Sequence, residues 1–283
     1  MVKRLFAIVV VIIVAYIAYA WLTFPDVSEL QSRWPKTTAF MEQRKAELRA
    51  EGKEDTLQYD PVPYDRISPY LRRAALVAED NDFYEHNGVD VEALKAAVQR
   101  DWEHKRLMEG GSTITQQLAK NLYLNSSRNP LRKIKEYFIA RSLENHLSKK
   151  RILELYLNVV EMGERVYGAE AASREYFHTS ASALTPSQAA LLAGCLPNPR
   201  EMDPGAPNKR LRARQSMILG RMRRWGYLVE QEVLKPAPPP PVPETTTTEG
   251  TEGRRGRRPR RRQELLRRRA DPLPRSGIEI KDL

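Results

Sequence analysis

From Leu5 to Phe24 the chain reads LFAIVVVIIVAYIAYAWLTF, a run of apolar positions without a charge. At about 1.5 Å of rise per residue, a helix of that length crosses a hydrocarbon core roughly 30 Å thick, so the pattern predicts one transmembrane helix within residues 1–24. Tyr16, Tyr19 and Trp21 crowd its C-terminal end, as interfacial aromatics do. Lys3 and Arg4 precede it, which puts the N-terminus in the cytoplasm and everything after Pro25 across the membrane. A cleaved signal peptide is the competing reading, since Ala18-Tyr19-Ala20 has the small-x-small form of a cleavage site. The apolar run exceeds the usual h-region of about 7–15 residues and a bulky Trp21 follows, which favours a retained anchor.

Beyond the anchor the pattern changes. Residues 25–59 are polar and helix-prone through RWPKTTAFMEQRKAELRAEGKE and are expected to form a juxtamembrane spacer, ending in the weak strand or turn signal of LQYDPVPYDRIS. From Ser68 to Trp225 helical periods dominate. Asp90 suits the N-cap of VEALKAAVQRDWEH, and Thr113 with Gln116 forms a capping box ahead of ITQQLAKNLYL. Ile152, Leu155, Tyr156 and Val159 lie at i, i+3, i+4 and i+7, one apolar helix face. Thr185 and Gln188 form a second capping box with Pro186 at the first helical position, before AALLAGCL, which Pro197 and Pro199 end. Residues 60–234 are thus expected to form one mainly α domain of about six to nine helices with little sheet and no internal repeat.

Composition changes this picture in two places. The net charge of +11 suggests a nucleic-acid partner, but residues 235–283 hold 13 basic and 7 acidic residues, so more than half of the excess sits in a tail. That tail runs from a Pro/Thr-rich linker, PAPPPPVPETTTTEGTEG, into RRGRRPRRRQELLRRR; neither stretch can bury enough apolar surface to fold alone. Its arginines could hold an anionic polymer or form an accessory extension, and no nucleic-acid partner is expected across a membrane. The one cysteine, Cys195, lies among apolar residues and reads as a buried, inert thiol, which argues against a zinc site or a cysteine nucleophile.

Candidate chemistry is concentrated in three stretches. EDNDFYEHNG, residues 79–88, follows the helical run AALVA, so Glu79 can end a buried helix and project into a cleft, where desolvation would bring it toward a general base's range. Taken alone, the stretch reads better as a solvated turn than as catalytic machinery, with His86, Asp82 and Glu85 as surface residues. GGSTITQQLAKN, residues 110–121, offers two glycines before a helix N-terminus suited to anions, or merely a well-capped helix. RNPLRKIKE, residues 128–136, puts Arg132 and Glu136 at i, i+4 with Lys133 beside them: a surface ion pair, or a cationic cluster around one carboxylate suited to a phosphate.

With KKRILELYLN (149–158) and RQSMIL (214–219), these stretches stand in the order of five motifs, EDxxFxxHxG, GGSTITQQxxKN, RKxKE, KxxILxxYLN and RxxxVL, the last with Ile218 in place of Val. Over residues 60–224 the chain therefore resembles the family 51 glycosyltransferases, which build peptidoglycan. One anchor and no room for a transpeptidase domain point to the monofunctional biosynthetic branch.

The resemblance implies a lysozyme-like helical fold and polymerisation of lipid II into β-1,4 glycan strands, with inversion and release of undecaprenyl pyrophosphate. It implies Glu79 as general base, Glu136 as the second essential carboxylate and Phe83 as an aromatic shaping the cleft. Lys120, Arg128, Arg132 and Lys133 would bind the donor pyrophosphate, while Ser112, Thr113 and Gln116 line the sugar-phosphate path. A divalent cation, Mg2+ or Mn2+, is the candidate cofactor, with Glu136 its candidate ligand; no organic cofactor is expected. The implied partners are lipid II, the growing strand, the membrane and other cell-wall synthesis proteins, at the outer face of the inner membrane. The rivals are a lysozyme-like lytic transglycosylase and a tethered binding protein for anionic polymers.

Overall fold

A computed structural model describes residues 22–89, 111–127 and 129–228, with residues 4, 6–8, 10 and 11 of the N-terminal segment. Most of the expected anchor, the helix expected after Asp90, Arg128 and the tail lie outside the described residues. No helix among the described residues is long and apolar enough to cross a membrane.

Eight α-helices and one three-stranded sheet are present among the described residues, in agreement with a mainly α domain. In chain order the elements are α1 (Ala39–Ala50), β1 (Gln58–Tyr59), α2 (Pro69–Glu79), α3 (Ile114–Tyr123), α4 (Pro130–His146), α5 (Lys149–Val159), β2 (Glu161–Gly163), β3 (Val166–Tyr167), α6 (Ala169–Phe177), α7 (Pro186–Cys195) and α8 (Lys209–Arg224). Both expected capping boxes form, on Thr113 with Gln116 and on Thr185 with Gln188, so the local signals start α3 and α7 where the sequence places them.

The helices pack as two groups. In one, α2 lies against α7 and α8; in the other, α3 lies against α4 and α5. Small residues set the first contact: Ala74 and Ala75 of α2 and Ala189, Ala190 and Ala193 of α7 are fully buried. Gly194 continues that surface, and a Cβ there would meet Leu211 Cδ1 of α8 at 2.9 Å, so a larger residue would force the Leu211 side chain to shift. The second group is filled by Ile114 and Leu118 of α3 and by the face expected for α5, with Ile152, Leu155, Tyr156 and Val159 all fully buried. Each such aliphatic side chain contributes about 1.5–3 kcal/mol on burial.

The sheet has order β1-β3-β2, with β1 parallel and β2 antiparallel to β3. Asn158, near the end of α5, ties the segment after β1 to this core. Its amide accepts from the Val62 N–H at 2.8 Å and donates to the Val62 and Glu154 carbonyls at 3.0 and 2.7 Å. Gly168 follows β3 at φ 86°, and a Cβ there would lie 2.2 Å from the Asn158 carbonyl oxygen, so the chain can pass α5 only as glycine. The helix inside the expected spacer is not free: Met41 and Leu48 of α1 are buried, and Arg44 reaches Glu164 in the β2–β3 turn at 2.8 Å.

Asn158→Leu would leave the Val62 N–H and carbonyl buried without this partner. It is expected to destabilise the fold by about 2–4 kcal/mol, read as a lowered thermal midpoint of the purified chain.

Candidate active site

Glu79 is the last residue of α2. Ser68 caps that helix, accepting from the Tyr70 N–H, with Pro69 at the first helical position. The Glu79 side chain is only 12% exposed. Its Oε2 accepts from Gln117 Nε2 of α3 at 2.9 Å, and its Oε1 lies 3.7 Å from Arg214 of α8, whose Nε is held by the Gly194 carbonyl at 2.9 Å. Burial pushes the Glu79 carboxyl up from the ordinary carboxylate range; the Gln117 hydrogen bond, Arg214 and Lys120 pull it down, and neighbouring Asp80 adds to the rise. A carboxylate at a helix C-terminus also faces the negative end of the macrodipole. The result is a buried carboxyl held by donors yet more basic than a surface one.

The residues after Glu79 are not a solvated turn throughout. Asp80 accepts from the Ile114 N–H, the first of α3, at 2.9 Å and from His86 Nε2 at 2.9 Å. His86 Nδ1 in turn accepts from the Gly88 N–H at 3.2 Å, which leaves the ring proton on Nε2, facing Asp80. Thr113 Oγ1 donates to the Gly88 carbonyl at 2.7 Å. The loop is thereby fastened to the N-terminus of α3, and His86, expected at the surface, is buried within this fastening. Asp82 and Glu85 are exposed, as the turn reading has them.

The cations gather on α3 and α4. Glu136 of α4 is 2% exposed and both its oxygens are engaged, one by Arg132 at 2.7 Å and the other by Lys133. Lys133 also donates to Ser112 at 3.0 Å, and Arg132 Nε donates to the Ser127 carbonyl. Lys120, two turns into α3, has no hydrogen bond or ion pair among the described residues and packs its ammonium 5.4 Å from the Phe40 ring centre. Burial pulls the Lys120 ammonium down; Glu136 and Glu79 act against that shift, while Arg132 and Lys133 reinforce it. Lys120 therefore feels both carboxylates, a relation that sequence spacing could not supply. Three cations against one carboxylate leave this cluster positive.

Several expected ligand-facing residues turn inward. Phe83 is fully buried, with Lys149 Nζ 4.4 Å from its ring centre, so it shapes the site by packing and offers no surface to a ligand. Thr113 and Gln116 are buried; the Thr113 hydroxyl serves the capping box and Gly88, and Gln116 Oε1 closes the box, so both hold the start of α3. Ser112 stays partly exposed beside Lys133. Conversely, Asp80, Gln117, Tyr156 and Arg214 do work that was not expected of them, although each falls within one of the five motifs. At Glu136 an arginine and a lysine already engage both oxygens, so a divalent cation there would have to share them with two positive charges. No group of three or more acidic, His or Cys side chains suited to a metal occurs among the described residues.

A family model described as Transglycosylase matches residues 45–223. The chain is 47% identical over 188 residues to a biosynthetic peptidoglycan transglycosylase of Nitrosospira multiformis, covering 66% of this chain and 82% of that protein. To proteins of the same name it is 48% identical in Dechloromonas aromatica, over 66% of this chain and 81% of that one, and 40% identical in Methylobacillus flagellatus, over 79% and 98%.

Because burial raises the Glu79 carboxyl in the folded state, its contribution to stability is present while it is protonated and is lost as pH rises from the ordinary value of 4.5 through the folded one. Glu79→Gln is therefore expected to raise the thermal midpoint relative to the parent by a margin that widens from pH 4.5 toward neutrality. A margin that stays flat with pH would contradict the shift.

Proposed function

The chain belongs to the transglycosylase family, and from that premise we propose that it is a peptidoglycan glycosyltransferase that polymerises lipid II, with Glu79 as base and the α3–α4 cations as the pyrophosphate site. The 4-hydroxyl of the incoming sugar attacks the anomeric carbon of the growing strand while Glu79 takes up its proton. The bond to undecaprenyl pyrophosphate breaks on the opposite face, so an α linkage becomes β in a single displacement. A pyrophosphate leaves as an anion and needs charge neutralisation rather than a proton. Lys120, Arg132 and Lys133 supply it, and Arg128, from the same motif, is assigned to that site as well.

The observation that carries this reading is Lys120, a cation without a hydrogen-bond partner among the described residues and within electrostatic reach of both Glu79 and Glu136. A half-buried ammonium without a partner among the described residues is suited to an anionic group brought by substrate. Glu136 serves by holding Arg132 and Lys133 in place; no step is routed through a metal. A lytic enzyme, which protonates a glycosidic oxygen, has no use for such a cluster.

The membrane setting is part of the proposal: N-terminus inside, one pass, catalytic domain outside. Its support is the uncharged run from Leu5 to Phe24 together with one face of α4. There Leu131, Ile134 and Phe138 are 46, 55 and 56% exposed, with Tyr137 beside them. Lys135 of the same helix donates to Thr23 at 3.5 Å, so the end of the apolar segment meets α4. A face of this kind is suited to the acyl boundary that holds a lipid-linked donor.

Purified chain in detergent or vesicles should convert lipid II to polymer; strand cleavage without polymerisation would sink the reading. Glu79→Gln is expected to lose about 10²–10⁴-fold in rate, the usual contribution of a general base. Lys120→Met should lose about 10²–10³-fold, as when one charge-stabilising donor is removed. Ile134→Glu with Phe138→Glu should lower polymerisation in vesicles more than in detergent.

A further inference from the structure

We infer that Tyr156 is a positioning residue for the base: its hydroxyl holds the Gln117 amide in the one orientation that presents an N–H to Glu79. This rests on Glu79 being the base. The three groups form a chain across three helices, with Tyr156 Oη of α5 donating to Gln117 Oε1 at 3.0 Å and Gln117 Nε2 of α3 donating to Glu79 Oε2 of α2 at 2.9 Å.

A glutamine amide has nearly the same shape in either orientation, so its hydrogen-bond partners decide which end faces where. Turned over, Gln117 would aim its carbonyl at a carboxylate that cannot donate unless it is protonated. The Tyr156 hydroxyl, donating to Oε1 on the far side, and the acceptor-only carboxylate on the near side together favour the orientation that turns Nε2 to Glu79. Its ring is fully buried and burial keeps its hydroxyl protonated far above the ordinary range. A phenylalanine would fill the same space; what the hydroxyl adds is the hydrogen bond to Gln117.

The consequence reaches the reacting atoms. Gln117 occupies Glu79 Oε2, whereas among the described residues Oε1 has the Arg214 guanidinium at 3.7 Å, too long for a hydrogen bond. Oε1 is thus the oxygen left to take the acceptor's proton. The other groups facing Glu79 are Lys120 from α3, Asp80 beside it and Cys195 from α7, whose thiol burial pushes up to about 12 and so keeps neutral. None of them donates a hydrogen bond to Oε2 as the site stands; Gln117 does.

The test is the pH profile of lipid II polymerisation by the full chain for the parent, Tyr156→Phe and Gln117→Leu, with Glu79→Gln as the reference. In Tyr156→Phe the acidic limb should move to higher pH by roughly one unit, the size expected when a charged group loses a hydrogen bond, and in Gln117→Leu at least as far. A purely structural tyrosine would lower the plateau and the thermal midpoint and leave the limb in place, which would overturn the inference. Phenylalanine keeps the volume of the ring in the core, so this variant retains the packing and its limb decides the matter. If Glu79→Gln polymerises substantially, the base assignment fails and the relay with it. If Glu79→Gln is inactive and neither limb moves, the relay alone fails.

Discussion

Asp80 accepts the first N–H of α3 and the ring N–H of His86, and the site is built around that junction. It joins the end of one helix to the start of another across 34 residues of chain. Glu79, one residue before the junction, and Gln117 and Lys120, one and two turns beyond it, are placed by rigid helices rather than by loops. A charge-assisted hydrogen bond to a helix N-terminus is among the stronger polar contacts a buried carboxylate can make, and it removes one of the unpaired N–H groups that every helix start leaves. Thr113 and Gln116 complete the same end, which is why two residues that look like ligand groups are spent on structure.

Around this frame two carboxylates are treated in opposite ways. Glu136 is paired with two cations, which fixes Arg132 and Lys133 on one side. Glu79 receives one neutral donor and one distant guanidinium, enough to keep it in place and too little to make it a weak base. Between them Lys120 is left without a partner of its own among the described residues. The unequal pairing leaves a more basic carboxylate and a positive cluster on neighbouring helices, the pair of features on which the proposed displacement rests.

Close packing makes this possible at a distance. Gly194 lets Leu211 pack against α7, and its carbonyl holds the Arg214 guanidinium that lies 3.7 Å from Glu79. Asn158 and Gly168 pass the chain over the end of α5 and so keep Tyr156 in register with Gln117. These residues touch no reacting group, yet each sets where one lies.

The amino-acid order carried its local features faithfully. The capping boxes at Thr113 and Thr185, the apolar face of α5, the buried thiol and the small amount of sheet were all legible, because caps and periodicity depend on neighbours three or four residues apart. The motif order likewise led to the family that the comparisons support. The partners were not legible. Nothing in EDNDFYEHNG says that Asp80 will meet Ile114 rather than water, that Phe83 will be buried under Lys149, or that His86 will serve the fold. Nor does spacing join Glu79 to Gln117, 38 residues away, and Gln117 to Tyr156, 39 further on. Burial, pKa and the orientation of an amide are properties of contacts between distant segments, and such contacts exist only once the helices have packed.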